Sequence, residues 1–402
     1  MRIVVWGINY APEKIGIGPC NTALCEFLAQ NTDCEVTMLT SFPYYPFGSP
    51  NGKGSRSRAE TREGVKIIRC WMYVPRQLGL LKRVMHELSF IISSAIQFLM
   101  LKKPDLVIVI SPPFLLGVAA RLLGWLRRFR YVIHIQDLQP DAAIRLGMLK
   151  RRVFIRLAMG LAEFGERGAW RISGISQGML DSLEKRGISS KKLICFPNGI
   201  RVRPYGRGNR FRKLYGFGEH DFVFVYSGNI GVKQGLIRLV EAARHIQNQS
   251  VRLVICGEGP DRIHLTKAAS DCPNVSMIPL LDESTYLEMV ADSDLMVVSL
   301  VPGTGAAFLP SKLLSACAAG RPVLGLCDDL SELARVIRQS NCGFVCSSES
   351  PEQIAETIDA IAGQESALAQ MGESGLRFAE QYSWDLMIRR YAQEMEIKVR
   401  DR

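Results

Sequence analysis

The chain reads as two successive series of short, continuously apolar runs, each separated from the next by a longer segment of helical period. Runs that are apolar without alternation have no face to give to water, so they belong in parallel sheets covered by helices on both sides. In the first half they are residues 2–7 (RIVVWG), 35–40 (EVTMLT), 65–70 (VKIIRC), 105–111 (DLVIVIS), 131–135 (YVIHI), 172–176 (ISGIS) and 193–198 (LICFPN). The second series is 222–228 (FVFVYSG), 251–257 (VRLVICG), 274–279 (NVSMIP), 294–300 (DLMVVSL), 321–326 (RPVLGL) and 343–346 (GFVC). Residues 199–221, between the two, are rich in Gly and Arg and lack apolar periodicity, the mark of a joint. At 402 residues the chain also exceeds what one core supports. The expected architecture is α/β, with two doubly wound domains, residues 1–205 and 206–383, facing a cleft, and the helical tail 384–402 joining the first. Ligands of such sheets bind beyond the carboxyl ends of the strands.

The net charge of +11 is unevenly placed. Residues 1–200 carry 28 Lys and Arg against 14 Asp and Glu (+14), residues 201–402 carry 22 against 25 (−3). The cations of the first half sit among apolar stretches such as RQLGLLKRVMHELSF and GMLKRRVFIRLAMGLAEFGERGAW. That pairing suits an anionic membrane surface, and equally suits helices packed on a core with solvated basic faces. No helix-turn-helix, zinc finger or RNP-like strand supports nucleic acid as a partner. The longest apolar run, Leu88 to Leu101, has 14 residues, too few to span a bilayer. The start MRIVVWGINY has no export signal, and the eleven cysteines form no CxxC pair, so a reduced, cytoplasmic protein is expected.

Several motifs bear on chemistry. GIGPCN (16–21) nearly matches a dinucleotide fingerprint, but Asn21 replaces the last glycine and the loop from Gly7 is too long. GISQG (174–178) matches the hydrolase elbow GxSxG around Ser176, with only His220, His245 and His264 downstream to complete a triad. DSD (292–294) resembles a metal-holding acidic pair, yet it directly precedes a strand and reads as a turn, so no metal and no cofactor are expected. His134, Gln136 and Asp137 end a buried strand, as core residues or as hydrogen-bonding partners of a polar substrate. In SGNIGVKQG, Gly228, Gly231 and Gly235 let backbone amides approach an anion and Lys233 adds charge; Gly257 and Gly259 of GEGP offer a second close approach. Pro310 fits a helix start and Gly320 with Pro322 its end, which leaves Lys312 in the first turn, where the helix dipole disfavours a cation. An anion beside it, a diphosphate, resolves the conflict.

GINYAPEKIGIG, HIQDLQPD, FPNGI, YSGNIGVKQG, GEGP, FLPSKLLSACAAGRPV and the terminal YSW segment together resemble the retaining glycosyltransferases of family 4, nearly over the whole chain. GINYAPE with YYP, and SGNIGVKQG with LPSKL, look most like the bacterial transferases of colanic acid and O-antigen synthesis, fucosyl and N-acetyl-fucosaminyl transferases among them. The resemblance implies a GT-B fold of two Rossmann-like domains, the N-terminal one binding the acceptor and the C-terminal one the nucleotide sugar. It implies metal-independent transfer with retention, from a UDP-sugar such as UDP-N-acetyl-fucosamine, or next GDP-fucose, to a polyprenyl-diphosphate-linked saccharide at the inner face of the cell membrane. Lys233 and Lys312 would neutralise the leaving diphosphate, His134 or Asp137 would contact the sugar, and Gly16 and Gly18 would line the cleft. Gly228, Asn229, Gly231, Gly257, Gly259, Ile278, Leu280, Leu309, Pro310, Ser311 and Ser315 would complete the donor site, Ile278 and Leu280 facing the base. The wider family carries two glutamates around this helix where this chain has Ala307 and Ser315, and an arginine where it has Asn229. A sugar-nucleotide epimerase or hydrolase of the same fold, and a noncatalytic scaffold for a membrane partner, are the alternatives.

Overall fold

The computed structural model describes residues 1–13, 16–44, 57–75, 80–139, 151–202, 206–301 and 311–400. The chain divides into two compact units, Met1–Asn198 with Trp384–Arg402, and Gly199–Ser383.

The first unit holds an eight-stranded sheet. Its strands are β1 (Arg2–Trp6), β2 (Glu35–Ser41), β3 (Ser57–Arg62), β4 (Val65–Cys70), β5 (Leu106–Ser111), β6 (Arg130–Ile135), β7 (Arg171–Gly174) and β8 (Leu193–Cys195), in the order β3-β4-β2-β1-β5-β6-β7-β8. All described pairings are parallel except β3 with β4. The seven apolar runs of the first half are all strands. The eighth, β3, was invisible to hydropathy because SRAETR is an edge strand exposed at nearly every position. Burial on both faces is what the continuous runs require, and Ile3, Val5, Trp6, Val107 and Ile108 are all completely inaccessible. Trp6 stacks on Phe98 at 5.2 Å and donates its indole N–H to Ser94 at 2.9 Å, so the polar edge of the ring is satisfied inside the core.

The second unit is a six-stranded, wholly parallel sheet. Its strands β9 (Phe222–Ser227), β10 (Val251–Cys256), β11 (Val275–Ile278), β12 (Leu295–Ser299), β13 (Val323–Leu326) and β14 (Gly343–Cys346) are ordered β11-β10-β9-β12-β13-β14. The order reverses direction at β9, and the doubly wound expectation is met in both units. One core cluster contains Phe224, Tyr226, Leu239, Ile255 and Val297, another Val223, Val225, Val254, Leu313 and Cys317.

The tail returns to the first unit as the helix Trp384–Glu394. Its Tyr391 ring stacks on Phe196 at 3.9 Å and its hydroxyl meets Ser173 Oγ at 2.7 Å. The DSD motif is structural. Asp292 accepts from the amides of Gly208, Asn209 and Phe211, and Asp294 from the Val223 amide and the guanidinium groups of Arg207 and Arg212. Ser176, the would-be elbow nucleophile, has ordinary extended backbone and caps the helix Gln177–Lys185 by accepting from the Met179 amide at 3.3 Å.

Candidate functional site

The site is built at the carboxyl ends of β9 to β12. The loop after β9 is laid directly on the loop after β10: the Gly228 amide donates to Cys256 O and the Ile230 amide to Glu258 O, each at 2.9 Å. The Gly257 amide donates in turn to Ile278 O at 3.1 Å. Gly257 has φ +145°, and a side chain there would run into the Gly228 carbonyl; at Gly259 it would run into Ile230 O. These glycines therefore serve the approach of one loop to the other. Of the amides expected to face an anion, those of Gly228 and Gly257 are consumed in this packing. The amides of Asn229 and Gly231 make no hydrogen bond among the described residues. They remain open for a ligand.

Lys312 completes the arrangement. It lies in the first turn of the helix Ser311–Ala318, and its side chain passes over the face of Gly228, where a Cβ would come within 2.9 Å of its Nζ. The ammonium donates to the Tyr226 hydroxyl, which donates to Asn229 O at 2.6 Å. No carboxylate pairs with Lys312 among the described residues. Burial without an opposing charge lowers its pKa to about 8, and burial raises that of Tyr226. A half-buried ammonium with no carboxylate partner among the described residues, beside open amides, is an arrangement that an anion would complete.

The remaining expected donor residues are distributed around this core. Lys233 lies exposed on the short turn Val232–Gln234, held through its carbonyl by the Val301 amide at 3.0 Å, with no partner for its ammonium among the described residues. Ser315 donates to Ser311 O at 3.0 Å, and burial raises the pKa of the nearby Tyr286 hydroxyl. Ile278 is buried and its carbonyl is taken by the Gly257 amide and by Arg262 Nη1 at 3.0 Å, whereas Leu280 is exposed. Leu309 and Pro310, like Ala307, lie outside the described residues.

The expected residues of the first unit do not form one cluster. His134 is 2% exposed, with Nδ1 2.9 Å from Ser173 Oγ and Nε2 2.8 Å from Gln136 Nε2. Gln136 donates to that nitrogen and exchanges two hydrogen bonds with Asn198, at 2.8 and 2.9 Å. Burial drives the imidazole pKa down to about 3, so the ring is neutral, carries its proton on Nδ1, and has no free nitrogen for a sugar. It positions the Gln136–Asn198 pair instead. Asp137 is exposed. Gly16 has φ +71° with open space around it, while Gly18 opens the helix Gly18–Asn31, where a Cβ would crowd Glu13 O at 2.9 Å.

Comparison with known proteins decides the class of the site. The family described as Glycosyl transferases group 1 matches residues 209–378, and the Glycosyl transferase 4-like domain matches residues 16–199. The Escherichia coli (strain K12) protein named as a colanic acid biosynthesis glycosyl transferase, WcaI, is 31% identical over 374 residues, covering 90% of this chain and 91% of that protein. The chain belongs to the group 1 glycosyltransferases. Among solved structures, the sucrose-phosphate synthase of Thermosynechococcus elongatus superposes with a TM-score of 0.75 at 14% identity, over 98% of both chains. Anabaena HepE, in complex with UDP and glucose, superposes with a TM-score of 0.69 at 14% identity, over 98% of this chain and 99% of that one. At such identity these likenesses show the fold, GT-B.

Two residues of this glycosyltransferase escaped the sequence reading. Tyr226 ends an apolar run and reads as core, yet its hydroxyl is what holds Lys312. Arg238 looks like a surface residue of a helical segment but is 9% exposed; its Nη2 reaches Leu300 O at 2.8 Å and Leu326 O at 2.9 Å, tying the ends of β12 and β13 together. The signal was present in both cases, as a polar atom at a position whose neighbours are all buried.

Proposed function

We propose that this glycosyltransferase transfers a sugar, with retention and without a metal, from a nucleoside diphosphate donor to a polyprenyl-diphosphate-linked saccharide in the synthesis of a bacterial surface polysaccharide. UDP-N-acetyl-fucosamine is the favoured donor and GDP-fucose the next. The observation that carries the reading is Lys312, an ammonium lying over Gly228 and bonded, among the described residues, only to a neutral phenol, with the Asn229 and Gly231 amides making no hydrogen bond among those residues. As the bond from the anomeric carbon to the phosphate oxygen breaks, its electron pair leaves with the nucleoside diphosphate. Lys312 and those amides stand where that charge accumulates. The acceptor oxygen enters on the face the diphosphate leaves, and its proton passes to the departing phosphate oxygen. Lys233 supplies further positive charge, so no metal is needed to balance the diphosphate. The relationship to WcaI supports polysaccharide synthesis as the setting, and the UDP complexes of HepE support a uridine nucleotide.

The test is an incubation of labelled UDP- and GDP-sugars with polyprenyl-diphosphate-linked saccharide in the presence of EDTA. Label in the lipid product is expected. Label appearing solely as free sugar or as an altered nucleotide sugar would replace transfer by hydrolysis or epimerisation.

A further inference from the structure

The helix Leu80–Met100 is apolar on two faces. One face gives Phe90, Ile91 and Phe98 to the core of its unit. On the other, Met85, Leu88, Ile92, Ile96 and Leu99 recur three or four residues apart and are 39–60% exposed, one continuous stripe along the helix. The solvent side of such a helix ordinarily carries charges. Here no charged residue occurs from Leu88 to Leu101, and the stripe is bracketed by Lys82 and Arg83 at one end and Lys102 and Lys103 at the other.

Two neighbouring helices also expose apolar side chains. Arg127, at the end of the helix Leu115–Arg127, donates to Phe98 O at 2.9 Å and Leu101 O at 2.8 Å, which fixes that helix beside the first. It exposes Trp125 and Leu126 at 63% and 71%. Trp125 in turn meets Phe164 edge-on at 5.7 Å, and Phe164 belongs to the helix Arg152–Gly168, which exposes Val153 and Leu157 at 72% and 58%. Residues 80–130 and 151–168 together carry 12 Lys and Arg against 4 Asp and Glu.

We propose that this three-helix face docks on a bilayer containing anionic lipid. A second copy of the chain is the poorer occupant, because self-association would press like-charged rims together. A bilayer offers hydrocarbon to the stripe and phosphate to the rim at once. No helix among the described residues is long and apolar enough to cross a membrane, so the contact is interfacial. It uses no residue of the donor site and stands or falls apart from the transfer reading.

The test is flotation of the full chain with vesicles of phosphatidylcholine, with and without phosphatidylglycerol. Binding is expected with phosphatidylglycerol, weakened by salt, and roughly a hundredfold weaker for the double substitution Ile92→Glu, Ile96→Glu. Both side chains are exposed, so the variant's melting temperature should match the parent's. On the native sequence, brominated acyl chains should quench tryptophan fluorescence, and Trp125→Phe should reduce that quenching. Failure to float with phosphatidylglycerol vesicles, equal flotation of the double variant, or a dimer that the same substitutions disperse would each overturn the proposal.

Discussion

Lys312→Met removes the ammonium while keeping the unbranched, apolar stem that covers Gly228. Burial takes the pKa of Lys312 from the ordinary 10.5 to about 8, which corresponds to roughly 3 kcal/mol held against the charged form in the ligand-free fold. Below pH 8 the group is charged in the folded and the unfolded chain alike, and the fold carries that whole penalty. Between about pH 8 and the unfolded value of 10.5, the unfolded chain binds more protons, so stability rises with pH and the penalty disappears. The Met variant should therefore melt higher than the parent at pH 7, with the difference closing as the pH approaches 10.5. Tyr226 tolerates the change, since its hydroxyl still donates to Asn229 O. Donor reverses the ranking. A diphosphate against the ammonium offsets the burial penalty on its charge, with each charge-assisted hydrogen bond contributing about 1.5–3 kcal/mol. UDP or GDP should stabilise the parent strongly and the variant weakly, and turnover should fall by about 10²–10³. Thermal melts at pH 7 and pH 10, with and without each nucleotide, measure all of this. Equal nucleotide shifts in the two proteins, or a ligand-free variant less stable than the parent, would refute the argument.

His134→Gln should flatten the acid limb of the stability curve. The native imidazole resists protonation down to about pH 3 while the unfolded one titrates near 6.5, so the parent loses stability as pH falls through that window, by several kcal/mol at most, and urea melts of the two proteins should converge toward pH 3. Gly257→Ala should cost about 3 kcal/mol or more in the same melts and abolish nucleotide binding, because the new methyl group meets the Gly228 carbonyl at a φ that alanine disfavours. A Gly257→Ala protein with native nucleotide affinity would show that the seating of the two loops does not shape the site.

The parts of the fold that were legible are those a residue declares by itself. A run such as VRLVIC has no polar face, and it becomes an interior strand wherever the chain puts it. Strand β3 declares nothing, because its place is set by backbone hydrogen bonds to β4 at an edge. The site divides along the same line. Lys312 is conspicuous alone, as a cation at a helix start, but the phenol that holds it lies 86 residues away, on the strand that pairs with β12 through Val297 opposite Tyr226. His134 was expected to contact a polar substrate, but β6 and β7 place it directly opposite Ser173, and the tail supplies Tyr391 behind that serine. Gly228 and Gly257 were expected to bring their amides close to a ligand, but what approaches them is the neighbouring loop, and the amides left open among the described residues belong to the residues between. A polar atom in an apolar run thus announces that it has a partner, and the parallel register, which no local pattern encodes, chooses whether that partner is the protein or a ligand. At Lys312 the partner among the described residues is a neutral hydroxyl, which leaves its charge unbalanced by the protein there, and that imbalance is what the proposed donor site rests on.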